Sequence, residues 1–246
     1  MILALYVAFG AVVGGVVGSY ATTWALRATD ETAPQGARSR CDGCHRVLNW
    51  RETMPVLSYV AARGACRSCT AAISPYHPIG EGLGIALGAA IAWAAPDLRV
   101  IPLGVIAACL LAASIYDLRT LKLPRLTTGL VALASAVLAA WHGVENLIVG
   151  LVAAAATLII IKSASVLFQY QKGKVGFGAG DIWLMASLAL WLGVATPAAI
   201  AVFCAIVIGV GVVRRRVNTP IPTGPAIAIA GFSIGLLLEA GIWPRP

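Results

Sequence analysis

Residues 100–117 read VIPLGVIAACLLAASIYD, a run without charge that closes on the carboxylate of Asp117. Crossing the hydrocarbon layer of a bilayer takes roughly 17–25 apolar residues in a helix, so this run predicts a spanning segment. An ionisable side chain at the end of such a segment is costly to place and is a functional candidate by default. Seven more runs of the same kind lie on either side, at residues 1–26, 79–95, 126–141, 147–161, 182–195, 197–213 and 225–242. The whole chain fits that pattern. Of its 246 residues, 59% are hydrophobic and 11% charged, and the mean hydropathy is +0.87. No soluble core absorbs that much apolar surface, which predicts an all-α polytopic membrane protein of about eight transmembrane helices. The first run lacks a basic n-region and is long and evenly apolar, so it reads as a retained helix rather than a cleaved signal peptide.

The basic residues fix an expected orientation. With eight crossings, Arg27, the arginines between residues 38 and 67, Arg119, Lys122, Arg125, Lys162, Lys172, Lys174 and Arg214 to Arg216 share one side. That side holds 16 of the 18 Lys and Arg, leaving Arg99 and Arg245 opposite. The positive-inside tendency puts the richer side in the cytosol and both chain ends outside. A net charge of +8 spread over loops in this way reflects topology, and no nucleic-acid partner is expected.

Residues 28–78 break the apolar pattern and read as a small cytosolic module between the first helix (1–27) and a seven-helix membrane domain (79–246). The module carries Asp30, Glu31, Asp42 and Glu52, and within it lie Cys41-x-x-Cys44 and Cys66-x-x-Cys69. Each pair has the spacing by which one knuckle presents two thiolates to a tetrahedral ion, and four thiolates favour zinc. Disulfides are the competing reading, but they are rare in the reducing cytosol. So short a domain is not stable on an apolar core, and metal binding would supply folding energy. His45 reads as a bystander beside Cys44. Cys109 and Cys204, inside apolar runs, read as small buried core residues.

Four carboxylates fall in or at the ends of the apolar runs: Glu81, Asp117, Asp181 and Glu239. Glu239, near the outer end of the last run, reads as an exposed interfacial group, and the other three are expected at the cytosolic edge. Asp181 follows Gly176-Phe-Gly178-Ala-Gly180, whose glycines let the backbone bend and an extended peptide approach. If the third and sixth helices pack together, Asp117 and Asp181 could share one proton, because neighbouring like charges do not ionise together easily. One carboxylate would then draw a proton from an attacking water while the other served as the acid. The alternatives are that either aspartate caps a helix or neutralises Arg119 or Lys174.

These residues resemble the type IV prepilin peptidase family, membrane aspartyl proteases with a G-x-G-D motif. The segments that carry the resemblance run nearly the whole chain. They are Gly18-Ser19-Tyr20 with Arg27, Arg38 to Cys41, Leu48-Asn49-Trp50, Met54-Pro55, Ser58-Tyr59, Gly64-x-Cys66, Ile73-Ser74-Pro75, His77-Pro78-Ile79-Gly80-Glu81, Asp117 to Pro124, Gly178 to Leu184 and Ile221-Pro-x-Gly224-Pro225-Ala226. Thr22, Arg125 and Trp183 depart from the family's usual Asn, Asp and Lys. The resemblance implies that Asp117 and Asp181 are catalytic and that the substrate is a prepilin or pseudopilin precursor with a cytosolic basic leader, cut after the leader's final Gly. It further implies a bacterial inner-membrane location and, for members with the cysteine module, N-methylation of the new terminus from S-adenosylmethionine. Glu81 is a candidate for positioning that cofactor or the new amine. Two other classes draw on the same residues: a transporter using the edge carboxylates, against which no internal symmetry between the halves is visible, and a thiol oxidoreductase using the two cysteine pairs.

Overall fold

The structure is a computed structural model and describes residues 1–30, 38–173, 177–214 and 221–243. Glu31, Lys174, Gly176, Arg215, Arg216 and Arg245, all invoked above, lie outside the described residues. Among the described residues there are nine α-helices: α1 (Ile2–Ala28), α2 (Leu57–Ala61), α3 (Tyr76–Ala94), α4 (Val100–Thr120), α5 (Arg125–Trp141), α6 (Val144–Lys172), α7 (Ala179–Leu192), α8 (Thr196–Arg214) and α9 (Gly224–Glu239). A 3-10 turn, Trp50–Glu52, precedes α2. Apart from the short α2, the helices coincide with the eight apolar runs. The largest difference is α6, which continues 11 residues past the apolar run that stopped at residue 161. Hydropathy ends at Lys162, whereas Lys, Ala, Leu and Gln remain good helix formers and prolong the backbone.

Among the described residues four stretches are long and apolar enough to cross a membrane: Ile2–Ala28, Val100–Thr120, Val144–Gln171 and Ala179–Val212. The last, of 34 residues, would run about 51 Å as one helix, well beyond a hydrocarbon layer of about 30 Å. Gly193, with φ of +52°, breaks it into α7 and α8. Helices α5 and α9 are apolar but shorter.

Contacts divide the chain into two units, Met1–Trp93 and Ala94–Pro246. In the first, α1 and α3 run antiparallel along two glycine series, Gly10, Gly14 and Gly18 against Gly88, Gly84 and Gly80. A Cβ at Gly14 would strike the Gly84 carbonyl, and one at Gly84 the Gly14 carbonyl. Small residues at every fourth position let two backbones touch, which is how helices associate where lipid removes the hydrophobic drive between them.

In the second unit α7 is the central helix, packed on α5, α6 and α9. Most of it is buried, from Ile182 to Leu192, with Trp183 the exposed residue in that span, as suits a helix apolar on nearly every face. Trp191 sets its indole 5.9 Å from the Phe232 ring of α9, and Gly150 brings α6 against the Leu190 carbonyl. Helix α4 packs on α5 and α9, and α8 on α9. The outer face of α6 exposes Ile159 and Ile160 by 67% and 65%, a surface suited to lipid. Cys109 is buried on α4 as expected, whereas Cys204 on α8 is exposed.

Replacing Gly84 with Leu should destabilise the protein in detergent by about 1–3 kcal/mol, the usual cost of overpacking a closed contact. Gly82→Leu, where an added Cβ meets nothing within 4 Å, should leave the melting temperature unchanged. Thermal scans of the two variants check the glycine seam.

Candidate active site and metal centre

Asp117 occupies the last turn of α4 and is 3% exposed. The helix stops there because Leu121 turns left-handed, at φ of +55°, and returns its N–H to the Asp117 carbonyl at 2.8 Å. Its carboxylate Oδ2 accepts the Gly224 N–H at 2.8 Å, across 107 residues of chain. Gly224 opens α9, and the first amides of a helix have no partner within it, so a carboxylate is the natural acceptor. A Cβ on Gly224 would come within 3.0 Å of that same oxygen. Asp181 lies in the first turn of α7 and accepts the Gly178 N–H at 3.2 Å.

The residue before Gly224 faces both acids. Thr223 stands beside both acids, its hydroxyl toward Asp181 and its amide toward Asp117, which also lies within range of the Asp181 charge. The two carboxylates therefore converge on one dipeptide, Thr223-Gly224. Among the described residues neither aspartate forms an ion pair, and Arg119 is exposed. The Gly178 bond does make Asp181 a capping group as well.

In the first unit the four cysteines Cys41, Cys44, Cys66 and Cys69 gather so that their sulfurs all lie within 4.8 Å of one another. The two knuckles are built alike. Cys41 donates its N–H to the Arg46 carbonyl and Cys66 to the Ala71 carbonyl, at 3.0 and 2.9 Å. The fourth residue after each, His45 and Thr70, is left-handed, with φ of +56° and +58°. His45 serves that bend and is not one of the four clustered ligands. The Ser68 and Cys69 amides draw the Cys66 thiol down to about 6. At Cys69 the Ala71 amide pulls the same way, but burial and the three neighbouring sulfurs outweigh it and push that thiol to about 11. Arg46 clamps Glu52 through two guanidinium nitrogens.

Glu81, on α3, is 6% exposed. Its Oε1 accepts the Ser19 hydroxyl of α1 at 2.8 Å, and Oε2 accepts the Val56 N–H at 2.7 Å. Glu239 departs from expectation: its side chain is fully buried rather than exposed. It binds Arg99 at 2.7 Å, Trp191 Nε1 at 2.9 Å and His142 Nε2 at 3.2 Å.

Comparison with known proteins matches residues 12–95 to a bacterial peptidase A24 N-terminal domain and residues 104–213 to the type IV leader peptidase family. A prepilin leader peptidase/N-methyltransferase of Aeromonas hydrophila is 32% identical over 79% of this chain and 70% of its own. The chain belongs to the type IV leader peptidase family. A relative of the same printed name from Burkholderia pseudomallei is 33% identical over 79% of the chain. One from Escherichia coli, named a type 4 prepilin-like proteins leader peptide-processing enzyme, is 30% identical over 80% of the chain. The chain spans 65% of the Burkholderia relative's length, and no solved structure matches. Both aspartates and Gly178 to Leu184 lie in the leader peptidase match, and all four cysteines and Glu81 in the N-terminal one.

What sequence reasoning missed is the role of Thr223-Gly224. Pro225, in the first turn of α9, signals a helix start, and a helix start following a glycine offers free amides. Which carboxylate those amides meet depends on the packing of α9 against α4.

Arg46, followed by the Asn49 amide, holds the Glu52 carboxyl at about 2 against an ordinary 4.5. A lowered carboxyl contributes stability that is full above pH 4.5 and is lost as the pH falls toward 2. The wild-type module should therefore weaken across that window, while Glu52→Gln should lack this acid dependence and be weaker at neutral pH. Thermal scans of both proteins from pH 7 down to pH 2 give the difference.

Proposed function

We propose that the protein is a membrane aspartyl endopeptidase that removes the leader of type IV prepilin-like precursors at the cytosolic face. The observation that carries this reading is the convergence of Asp117 and Asp181 on Thr223-Gly224. Two carboxylates that meet at one dipeptide can share a proton, and their titration would then belong to the pair. The ionised member takes a proton from water while the water oxygen adds to the scissile carbonyl carbon, and the protonated member donates to the carbonyl oxygen. When the tetrahedral centre collapses the C–N bond breaks, and a proton from the pair goes to the leaving amine. Gly178 and Gly224 keep both carboxylates free of side-chain cover on one side, as an extended peptide backbone would need.

We read the eight apolar helices, four stretches of which are long enough to span by themselves, as eight crossings, and the basic residues support a cytosolic site with both chain ends outside in a bacterial inner membrane. Substrate class and cut position, after the leader's final Gly, follow the family.

Zinc is the ion we assign to the four cysteines. A tetrahedral ion with Zn–S bonds of about 2.3 Å sets its sulfurs about 3.8 Å apart, and Cys41 Sγ and Cys69 Sγ are 3.7 Å apart. It would tie the two knuckles together and supply folding energy to a module with little core. N-methylation of the new terminus is part of the same reading, suggested by the relatives' names. S-adenosylmethionine would supply the methyl group, and Glu81 is the residue assigned toward it or the new amine. The two hydrogen bonds shown for Glu81 come from neutral donors, Ser19 and Val56, a setting in which its carboxyl group could face a sulfonium or ammonium group.

Asp117→Asn and Asp181→Asn should each abolish leader removal from a co-expressed prepilin, a fall of at least about 10²-fold, while leaving the protein in the membrane. Mass spectrometry of the prepilin reads cut position and terminal methyl together, and processing that persists in both variants overturns the reading. Elemental analysis of purified protein should find about one zinc per chain, as a single four-thiolate site requires.

A further inference from the structure

The segment between the two knuckles carries an apolar surface that neither zinc nor peptide cleavage uses. Trp50 is 70% exposed, Leu57 63%, Val60 66% and Met54 39%, four large apolar side chains within 11 residues. The 3-10 turn that bears Trp50 packs on α2, which bears Leu57 and Val60 one helical turn apart. Arg51 lays its guanidinium over the Trp50 ring, 5.2 Å from its centre. In water this is an unfavourable surface for so small a module.

The depth of the segment says what covers it. Pro55 rests on Gly15 of α1, where an added Cβ would stand 3.4 Å from the proline ring. Gly15 lies in the middle of α1, about 20 Å from either end of a helix about 40 Å long. Wherever a hydrocarbon layer of about 30 Å is placed within that length, Gly15 falls inside it. Next to Pro55, Val56 donates its N–H to the buried Glu81, itself bonded to Ser19 of α1. Val56 does so at φ +61° and ψ −46°, a positive φ that a β-branched residue adopts only under constraint. The turn is thus held along the flank of α1 below the level at which that helix leaves the lipid.

We propose that residues 50–61 form an interfacial element of the metal module that dips into the lipid leaflet where α1 ends and α3 begins. The Met54-Pro55-Val56 turn is its deepest point, and Met54, Leu57 and Val60 face acyl chains. Arg51 meets the headgroup phosphates, and Trp50 occupies the headgroup level that tryptophan favours. The occupant of this surface is the surrounding bilayer itself. The argument rests on α1 as a membrane span and is independent of the peptidase reading.

The test is photocrosslinking in nanodiscs of phosphatidylcholine and phosphatidylglycerol, with p-benzoylphenylalanine replacing Leu57 or Val60. Ile159 on the outer face of α6 is the lipid-facing reference and Arg67, exposed on the second knuckle, the aqueous one. Intact mass should show phospholipid adducts at 57 and 60 comparable with those at 159 and several-fold above those at 67. Adducts at 57 and 60 no greater than at 67, or crosslinks there to a second copy or another protein, overturn the proposal. A second measurement spares the fold: tryptophan quenching by brominated lipids, wild type against Trp50→Phe. The variant should lose part of the quenchable fluorescence, and an unchanged quenchable component counts against the interfacial element.

Discussion

A carboxylate inside a bilayer must find hydrogen-bond donors, and Asp117 finds one in the first free amide of α9, at 2.8 Å. That bond fixes where α9 begins relative to where α4 ends. The opposite ends of the two helices are fixed as well, because Arg99, just before α4, binds Glu239, the last residue of α9, at 2.7 Å. Helices α4 and α9 are therefore antiparallel and pinned at both ends. His142 at the end of α5 and Trp191 on α7 also reach Glu239, so one buried carboxylate gathers four helices. Removing one partner from a buried pair of this kind costs on the order of 3–5 kcal/mol, because the remaining charge is stranded. With the register set this way, Thr223 has its hydroxyl at Asp181 and its amide at Asp117.

The first unit meets the same constraint by other means. Its two long helices share a glycine seam, and its polar module has too few buried side chains for a core of its own, with Cys66 its buried apolar residue. The cluster of four cysteine sulfurs stands where that core would be. The chain between the knuckles turns back along α1 and is held by Glu81 in a conformation that Val56 would not otherwise adopt. Glu81 thus joins α1, α3 and the module at one point.

Much of this was legible along the chain because the relevant signals are local. Apolar runs give helices, and their ends moved by only a few residues except at α6, where the hydropathy signal stops at a lysine that the helix tolerates. Two Cys-x-x-Cys pairs give a four-sulfur cluster, since within each pair the spacing alone brings two thiols together. Two aspartates at the ends of apolar runs stand out because the runs they border carry no other charge. Glu239 misled for the opposite reason. Its position near the end of the last run suggested exposure, and its burial depends on Arg99, 140 residues earlier.

The sequence by itself determined the membrane class, the positions of the helices, the four thiol ligands and the two acids, all of them properties of residues or of neighbours within a few positions. Only the tertiary structure decided that the acids meet at Thr223-Gly224, that α1 and α3 touch along six glycines, that Glu239 is a buried hub and that Pro55 lies against the middle of α1. Each of these is a contact between segments far apart along the chain, set by which helix faces pack together, and one chain's residue pattern does not encode the choice of partner.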